Sequence, residues 1–120
     1  MPPAILLIED DKLTRLILQT NLEEWGYQVV GASSGEEATK AIVQQPFAAI
    51  LMDHSLPGID GTALGVVFKN HEKHRRTPVL IMSANPDFLE PGNEVFDGYI
   101  LKPVSLDALR NKLSELTSHG

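Results

Sequence analysis

Cysteine is missing altogether from this sequence. That absence rules out disulfides and every thiolate metal site, and it leaves the redox compartment unreadable from thiols. Long apolar runs are missing too. The longest, Ala4 to Ile8 and Phe47 to Met52, are far from the roughly 20 residues a membrane span needs. The opening Met1-Pro2-Pro3 has neither a basic region nor a signal-peptide pattern, so the expected address is cytoplasmic, with no membrane partner. Positive charge is scarce: 10 Lys and Arg stand against 16 Asp and Glu, for a net charge of −6. A nucleic-acid partner is therefore not expected, since such domains show a basic face. The one basic cluster is Lys69, Lys73, His74, Arg75 and Arg76. It reads as a solvated helix end, where cations suit the C-terminal dipole, with a partner-docking patch as the alternative. No repeat, low-complexity tract or linker interrupts the 120 residues, a length that fits one domain over 1–120. At 42% hydrophobic, the chain has enough apolar material for one core.

What is present alternates between strand-like and helix-like segments. Ala4 to Ile8 is a compact apolar run ending in acid, which predicts a strand buried on both faces. Leu13, Leu16, Ile17, Leu22 and Trp25 recur at helical spacing, and Gly26 closes that helix. Tyr27 to Val30 is a second strand. Ser34 followed by Glu37 predicts a capping box, opening a helix with Ala38, Ala41 and Ile42 on its inner face. Phe47 to Met52 is the third strand, and the turn residues from Leu56 to Gly61 lead into a helix bearing Leu64, Val67 and Phe68. Pro78 to Met82 and Tyr99 to Leu101 are the fourth and fifth strands. Ser105 caps a last helix with a stripe of Leu106, Leu109, Leu113 and Leu116. Apolar strands alternating with helices predict an α/β fold: a doubly wound, five-stranded parallel sheet with helices on both faces. Its expected order is the flavodoxin-like 2-1-3-4-5.

In such a sheet, ligands bind beyond the carboxyl ends of the strands. The first strand ends in Glu9-Asp10-Asp11, the third in Asp53, the fourth in Ser83-Ala84 and the fifth in Lys102-Pro103. Acids delivered to one edge repel each other until protons or a cation relieve them. With oxygen ligands only, the fitting cation is hard: Mg²⁺, with Mn²⁺ or Ca²⁺ as substitutes. A carboxylate beside it can attack phosphorus, while Lys102 neutralises the transferred group and Ser83 donates a hydrogen bond to it. Taken singly, each residue has an ordinary reading: Asp11 as a helix cap, Lys102-Pro103 as a turn, Ser83 as a cap. The conjunction across four strand ends carries the assignment.

The pieces Ile5 to Asp11, Ile50 to Gly61, Val79 to Ala84 and Gly98 to Pro103 resemble the response-regulator receiver family of two-component signalling. They lie in that family's order, whether in a stand-alone regulator or in a receiver belonging to a hybrid histidine kinase. The resemblance implies a phosphorelay switch rather than an enzyme. Asp53 matches the phosphoacceptor, Asp10 a direct metal ligand and Glu9 a ligand acting through water. Ser55 matches the position whose backbone carbonyl binds the metal. Ser83 matches the switch hydroxyl, Lys102 the family's lysine and Tyr99 the aromatic that changes rotamer. A cis peptide at Lys102-Pro103 is implied as well. The implied partners are a sensor histidine kinase or a histidine phosphotransfer protein, and an unspecified downstream target. For Tyr99, a plain half-buried strand aromatic is the competing reading.

The sequence departs from the family between Ser83 and Lys102, a step of 19 positions that is shorter than expected. The segment from Pro86 to Asn93 holds Pro91 and Gly92, so the fourth helix is expected to be short or irregular and a poor surface for a fixed dimer. A monomer or weak dimer follows. A hydrolase working through an aspartyl phosphate would want a second acid two residues after Asp53, and Ser55 stands there instead. A fold that only docks a partner would not need this set of side chains.

Overall fold

The structure, a computed structural model, describes residues 2–54, 56, 61–84 and 96–117, with only the backbone of Gly61 and Thr62. Its elements are β1 (Ala4–Ile8), α1 (Lys12–Glu24), β2 (Gln28–Ala32), α2 (Gly35–Ile42), β3 (Ala49–Asp53), α3 (Gly61–Asn70), β4 (Val79–Ser83), β5 (Gly98–Leu101) and α4 (Leu106–Thr117). The five strands run parallel in the order β2-β1-β3-β4-β5, as the alternation predicts. The expected irregular helix between the fourth and fifth strands lies outside the described residues, so α4 here is the helix that follows β5.

Side chains alternate across a strand, and the two faces of this sheet build two cores. Leu6, Ile8, Ile50, Met52, Val79 and Ile81 meet Ala38 and Ile42 of α2 and Leu64 and Phe68 of α3. On the other face, Ile5, Leu7, Leu51, Leu80 and Met82 meet Leu18 and Leu22 of α1 and Leu109 and Leu113 of α4. β1, β3 and β4 are buried along their whole length, which is why they read as unbroken apolar runs.

The helix faces correct three expectations. In α1 the buried residues are Leu18 and Leu22, while Leu13, Leu16 and Ile17 are 65%, 59% and 49% exposed. At 3.6 residues per turn these three sit roughly 100–160° around the helix from Leu18, too far to reach the sheet. Val67 of α3 and Leu106 of α4 are likewise exposed, leaving Leu64, Phe68, Leu109 and Leu113 to make the contact. The third correction concerns His74. It is not part of a solvated helix end: α3 stops at Asn70, and His74 is completely buried in the following turn. Its Nε2 lies 2.7 Å from the Ile42 carbonyl, and its ring stacks on Phe47 at 5.9 Å. Lys73, Arg75 and Arg76 around it are exposed. Lys69, in the last turn of α3, is drawn into the protein, where Nζ donates to Asp97 Oδ2 at 2.6 Å and to the Thr77 carbonyl at 2.9 Å.

Gly98 opens β5 at a close approach. A Cβ there would stand 2.7 Å from Lys112 Cε and 2.8 Å from Leu80 Cδ1. The lysine tip can move aside, but Leu80 is fully buried and has no free space to enter. Gly98→Ala is expected to destabilise the domain by about 1–3 kcal/mol, the usual cost of overpacking. Urea unfolding measures it, and a midpoint equal to the parent's would show that β5 can shift away.

Candidate functional site

The parallel register brings the chemistry to one edge. Ile8 pairs with Met52, so Glu9, just past β1, and Asp53, the last residue of β3, stand side by side. One carboxylate oxygen each from Glu9, Asp10 and Asp53 lie within 4.8 Å of one another. Glu9 and Asp53 are buried and Asp10 is exposed, so the cluster opens outward through Asp10.

Opposite the acids stands Lys102, just past the end of β5. Its Nζ donates to Asp53 Oδ1 at 2.7 Å, and its backbone N–H donates to the Ser83 carbonyl at 2.9 Å. The Lys102-Pro103 peptide is cis, as the resemblance implies. Ser83, at the end of β4, is buried. Half-buried Tyr99 packs against the core on the α2 and α3 side, and its hydroxyl reaches the Ser83 carbonyl at 3.5 Å. Six residues named from the sequence, Glu9, Asp10, Asp53, Ser83, Tyr99 and Lys102, therefore gather at or beside this edge. The seventh, Ser55, lies outside the described residues.

The turn after β1 is held at several points. Asp11 caps α1, accepting from the backbone N–H and the hydroxyl of Thr14, so its ordinary reading as a cap is the correct one. These bonds hold the Asp11 carboxyl below the usual range. The Glu9 N–H donates to the Ala32 carbonyl at 2.9 Å, and Glu9 Oε1 accepts from the Asp11 N–H at 3.1 Å. Arg15 Nη1 donates to the Glu9 carbonyl at 2.8 Å. Sequence reasoning missed Arg15. A cation one turn into the helix after an acidic strand end is the only signal it offers.

Charge in the site is unbalanced: three carboxylates face the Lys102 ammonium. Glu9 carries the strain. Burial, more than any other cause, pushes its carboxyl up to about 7; the Asp11 N–H pulls it down, and the charge of Asp53 pushes it further up. Among the described residues, Glu9 Oε2 is buried without a hydrogen-bond partner. An orphaned oxygen among carboxylates, with no sulfur or imidazole in the cluster, fits a hard divalent cation of the Mg²⁺ kind.

Comparison with known proteins agrees. The family model of the response regulator receiver domain matches residues 5–114. The transcriptional regulatory protein QseB of Escherichia coli O157:H7 is 35% identical over 116 residues, covering 93% of this chain and 52% of that protein. The sensor protein GacS of Pseudomonas syringae pv. syringae is 30% identical over 112 residues, covering 86% of this chain and 12% of that protein. The chain thus spans about half the length of the first of these relatives and far less of the second. Among solved structures, the receiver domain of the sensor histidine kinase PA1611 of Pseudomonas aeruginosa PAO1 superposes with a TM-score of 0.86 at 27% identity, over 98% of this chain and 99% of that one. That structure holds a magnesium ion in its active-site cleft. With its strand order, its acidic edge and its match over nearly the whole length, this chain belongs to the response regulator receiver domain family of two-component signalling.

Proposed function

We propose that residues 1–120 form a phosphoacceptor switch, not an enzyme acting on a separate substrate. Asp53 takes a phosphoryl group from a phosphohistidine on a sensor histidine kinase or a histidine phosphotransfer protein. The observation that carries this reading is the buried Asp53 carboxylate, bound by Lys102 at 2.7 Å and within 4.8 Å of both Glu9 and Asp10. An Asp53 oxygen forms the new bond to phosphorus as the phosphorus–nitrogen bond of the donor breaks. Glu9, Asp10 and Asp53 would hold Mg²⁺, or Mn²⁺ or Ca²⁺ in its place, with the Ser55 carbonyl as a further ligand. A bound ion there offsets negative charge on the carboxylates and the phosphoryl oxygens.

The chain's own groups do the rest. Lys102 trades one anionic partner for another, leaving the Asp53 carboxylate for the phosphoryl oxygens. The Ser83 hydroxyl donates to the same group. Tyr99, one hydroxyl's reach from the Ser83 carbonyl, follows that movement, so a local charge change biases a two-state element. The downstream target is left unspecified, and neither a nucleic acid nor a membrane is a partner in this reading. The domain works in the cytoplasm as a monomer or weak dimer. Among the described residues no helix is long and apolar enough to cross a membrane.

The phosphodonor protein approaches past α1. The exposed Ile17, with Thr14, Pro103, Val104 and Leu106, bounds a hollow of about 360 Å³ that reaches Glu9 and Lys102. The test is incubation with phosphoramidate and Mg²⁺, followed by intact mass. One phosphoryl group is expected, and none when EDTA replaces Mg²⁺. Labelling in EDTA at the Mg²⁺ rate would overturn the metal requirement. Ile17→Asp should keep the phosphoramidate reaction and slow transfer from a phosphorylated histidine protein by about 10-fold or more, as loss of an interface anchor does.

A further inference from the structure

Among the described residues, the Asp10 carboxylate, which the proposed function makes a metal ligand, forms no hydrogen bond and none of the four ion pairs. It is also exposed. With no partner holding the side chain, the main chain sets the position from which the carboxylate is presented. Glu9 and Asp10 share one peptide plane, and that plane can rotate about the two soft dihedrals that flank it. Its Glu9 carbonyl oxygen is the atom that Arg15 Nη1 holds at 2.8 Å.

We propose that Arg15 is a positioning residue for the phosphoacceptor site, fixing the Glu9–Asp10 peptide so that Asp10 faces Glu9 and Asp53. The inference rests on the metal-binding reading above. Arg15 is built for the task. It is half-buried, and its backbone N–H is part of the first turn of α1, donating to the Asp11 carbonyl at 2.9 Å. Its stem runs beside β2, with Cδ 3.5 Å from where a Cβ on Gly31 would stand. The fork is aimed at a neutral carbonyl, although Asp11 and Glu37 lie close enough for Arg15 to lower both of their carboxyls slightly. Neither of them forms an ion pair with it. The other polar groups of the turn have separate anchors: the Glu9 N–H on Ala32 and the Asp11 N–H on Glu9 Oε1. Without Arg15, the Glu9 carbonyl loses the side chain that holds it, and the Glu9–Asp10 peptide is freer to turn.

Charge and geometry predict opposite signs. As a cation held against the Glu9 carbonyl, Arg15 should weaken Mg²⁺ binding, and its removal should tighten it. As a positioning residue, it should strengthen binding. The experiment is calorimetric titration of the full chain with Mg²⁺, for the parent, Arg15→Gln and Arg15→Lys. Partners that orient ligands are typically worth 10- to 100-fold in metal affinity. Arg15→Gln is expected to weaken Mg²⁺ binding by about 10-fold. Arg15→Lys keeps the charge and most of the stem, and is expected to fall between Arg15→Gln and the parent. Phosphoramidate labelling should show the same shift in Mg²⁺ requirement, with the rate at saturating Mg²⁺ within about twofold of the parent's. In the metal-free variants the amide resonance of Asp10, which shares one peptide with the Glu9 carbonyl, should shift, a change that does not depend on any bound ion. Unchanged or tighter Mg²⁺ binding in either folded variant overturns the inference. A parent that binds no Mg²⁺ would instead overturn the metal-binding reading itself.

Discussion

Asp53→Asn is expected to gain no phosphoryl mass under conditions that label the parent. The residue ends β3 with its carboxylate buried and already in the grip of Lys102 at 2.7 Å. An amide of the same shape keeps the packing and loses the nucleophilic charge. Asp10 lies in the same cluster but is the exposed member, and Glu9 has one oxygen tied to the Asp11 N–H and the other shut inside the protein. Only Asp53 combines a fixed position with a cationic partner that can pass to the transferred group. Lys102→Ala should leave labelling possible but slow it by about 10²–10³-fold, the size of effect that follows loss of one pre-placed charge-stabilising group. Intact-mass time courses in phosphoramidate and Mg²⁺ measure both. An Asp53→Asn protein that still gains a phosphoryl group would move the acceptor to another carboxylate. A Lys102→Ala protein labelled at the parent's rate would reduce the 2.7 Å ion pair to a packing contact.

Why the strands and the site were legible, and the helix faces were not, has a physical cause. β1, β3 and β4 are covered on both sides, so burial acts on every residue and writes itself as an unbroken apolar run. The site residues occupy strand ends, and a parallel sheet brings all such ends to one edge whatever the loops do. Glu9, Asp53, Ser83 and Lys102 could therefore be collected without knowing a distance. A helix is covered on one side only. In α1, apolar residues ring most of the surface, and nothing local says that Leu18 and Leu22 face the sheet while Leu13, Leu16 and Ile17 face outward. His74 misled for a similar reason. Its neighbours Lys73, Arg75 and Arg76 mark a surface turn, whereas its burial is decided by Ile42 and Phe47, which are remote in sequence. Arg15 left no trace because its partner is a main-chain carbonyl, which every position in the chain carries.

Removing Mg²⁺ should make the domain less stable as pH rises through neutrality. In the folded protein the Glu9 carboxyl is pushed up from its ordinary 4.5 to about 7, mainly by burial. Between those two values the folded state holds a proton that the unfolded chain has released. Stability then declines with rising pH across this window, and above it the folded state carries a penalty of up to about 3 kcal/mol. Below 4.5 both states are protonated at Glu9 and the penalty disappears. Asp11 and Glu37 act in the opposite sense at a different place. Their carboxyls are held below the ordinary range, by Thr14 and by Ser33 respectively, so the stability they bring is present at neutral pH and lost only in acid. They leave the window above about pH 5 to Glu9. A cation among Glu9, Asp10 and Asp53 favours the ionised carboxyl and takes over the role of the proton, so Mg²⁺ should raise the thermal midpoint more at about pH 8 than at about pH 5.5. Glu9→Gln cannot ionise and should remove most of the pH slope seen in EDTA. Scanning calorimetry of the parent and Glu9→Gln, at both pH values and with EDTA or Mg²⁺, separates the contributions. A Glu9→Gln protein in EDTA that loses as much stability between pH 5.5 and 8 as the parent would place the responsible proton on another group, and the buried Glu9 carboxyl would then be ionised throughout.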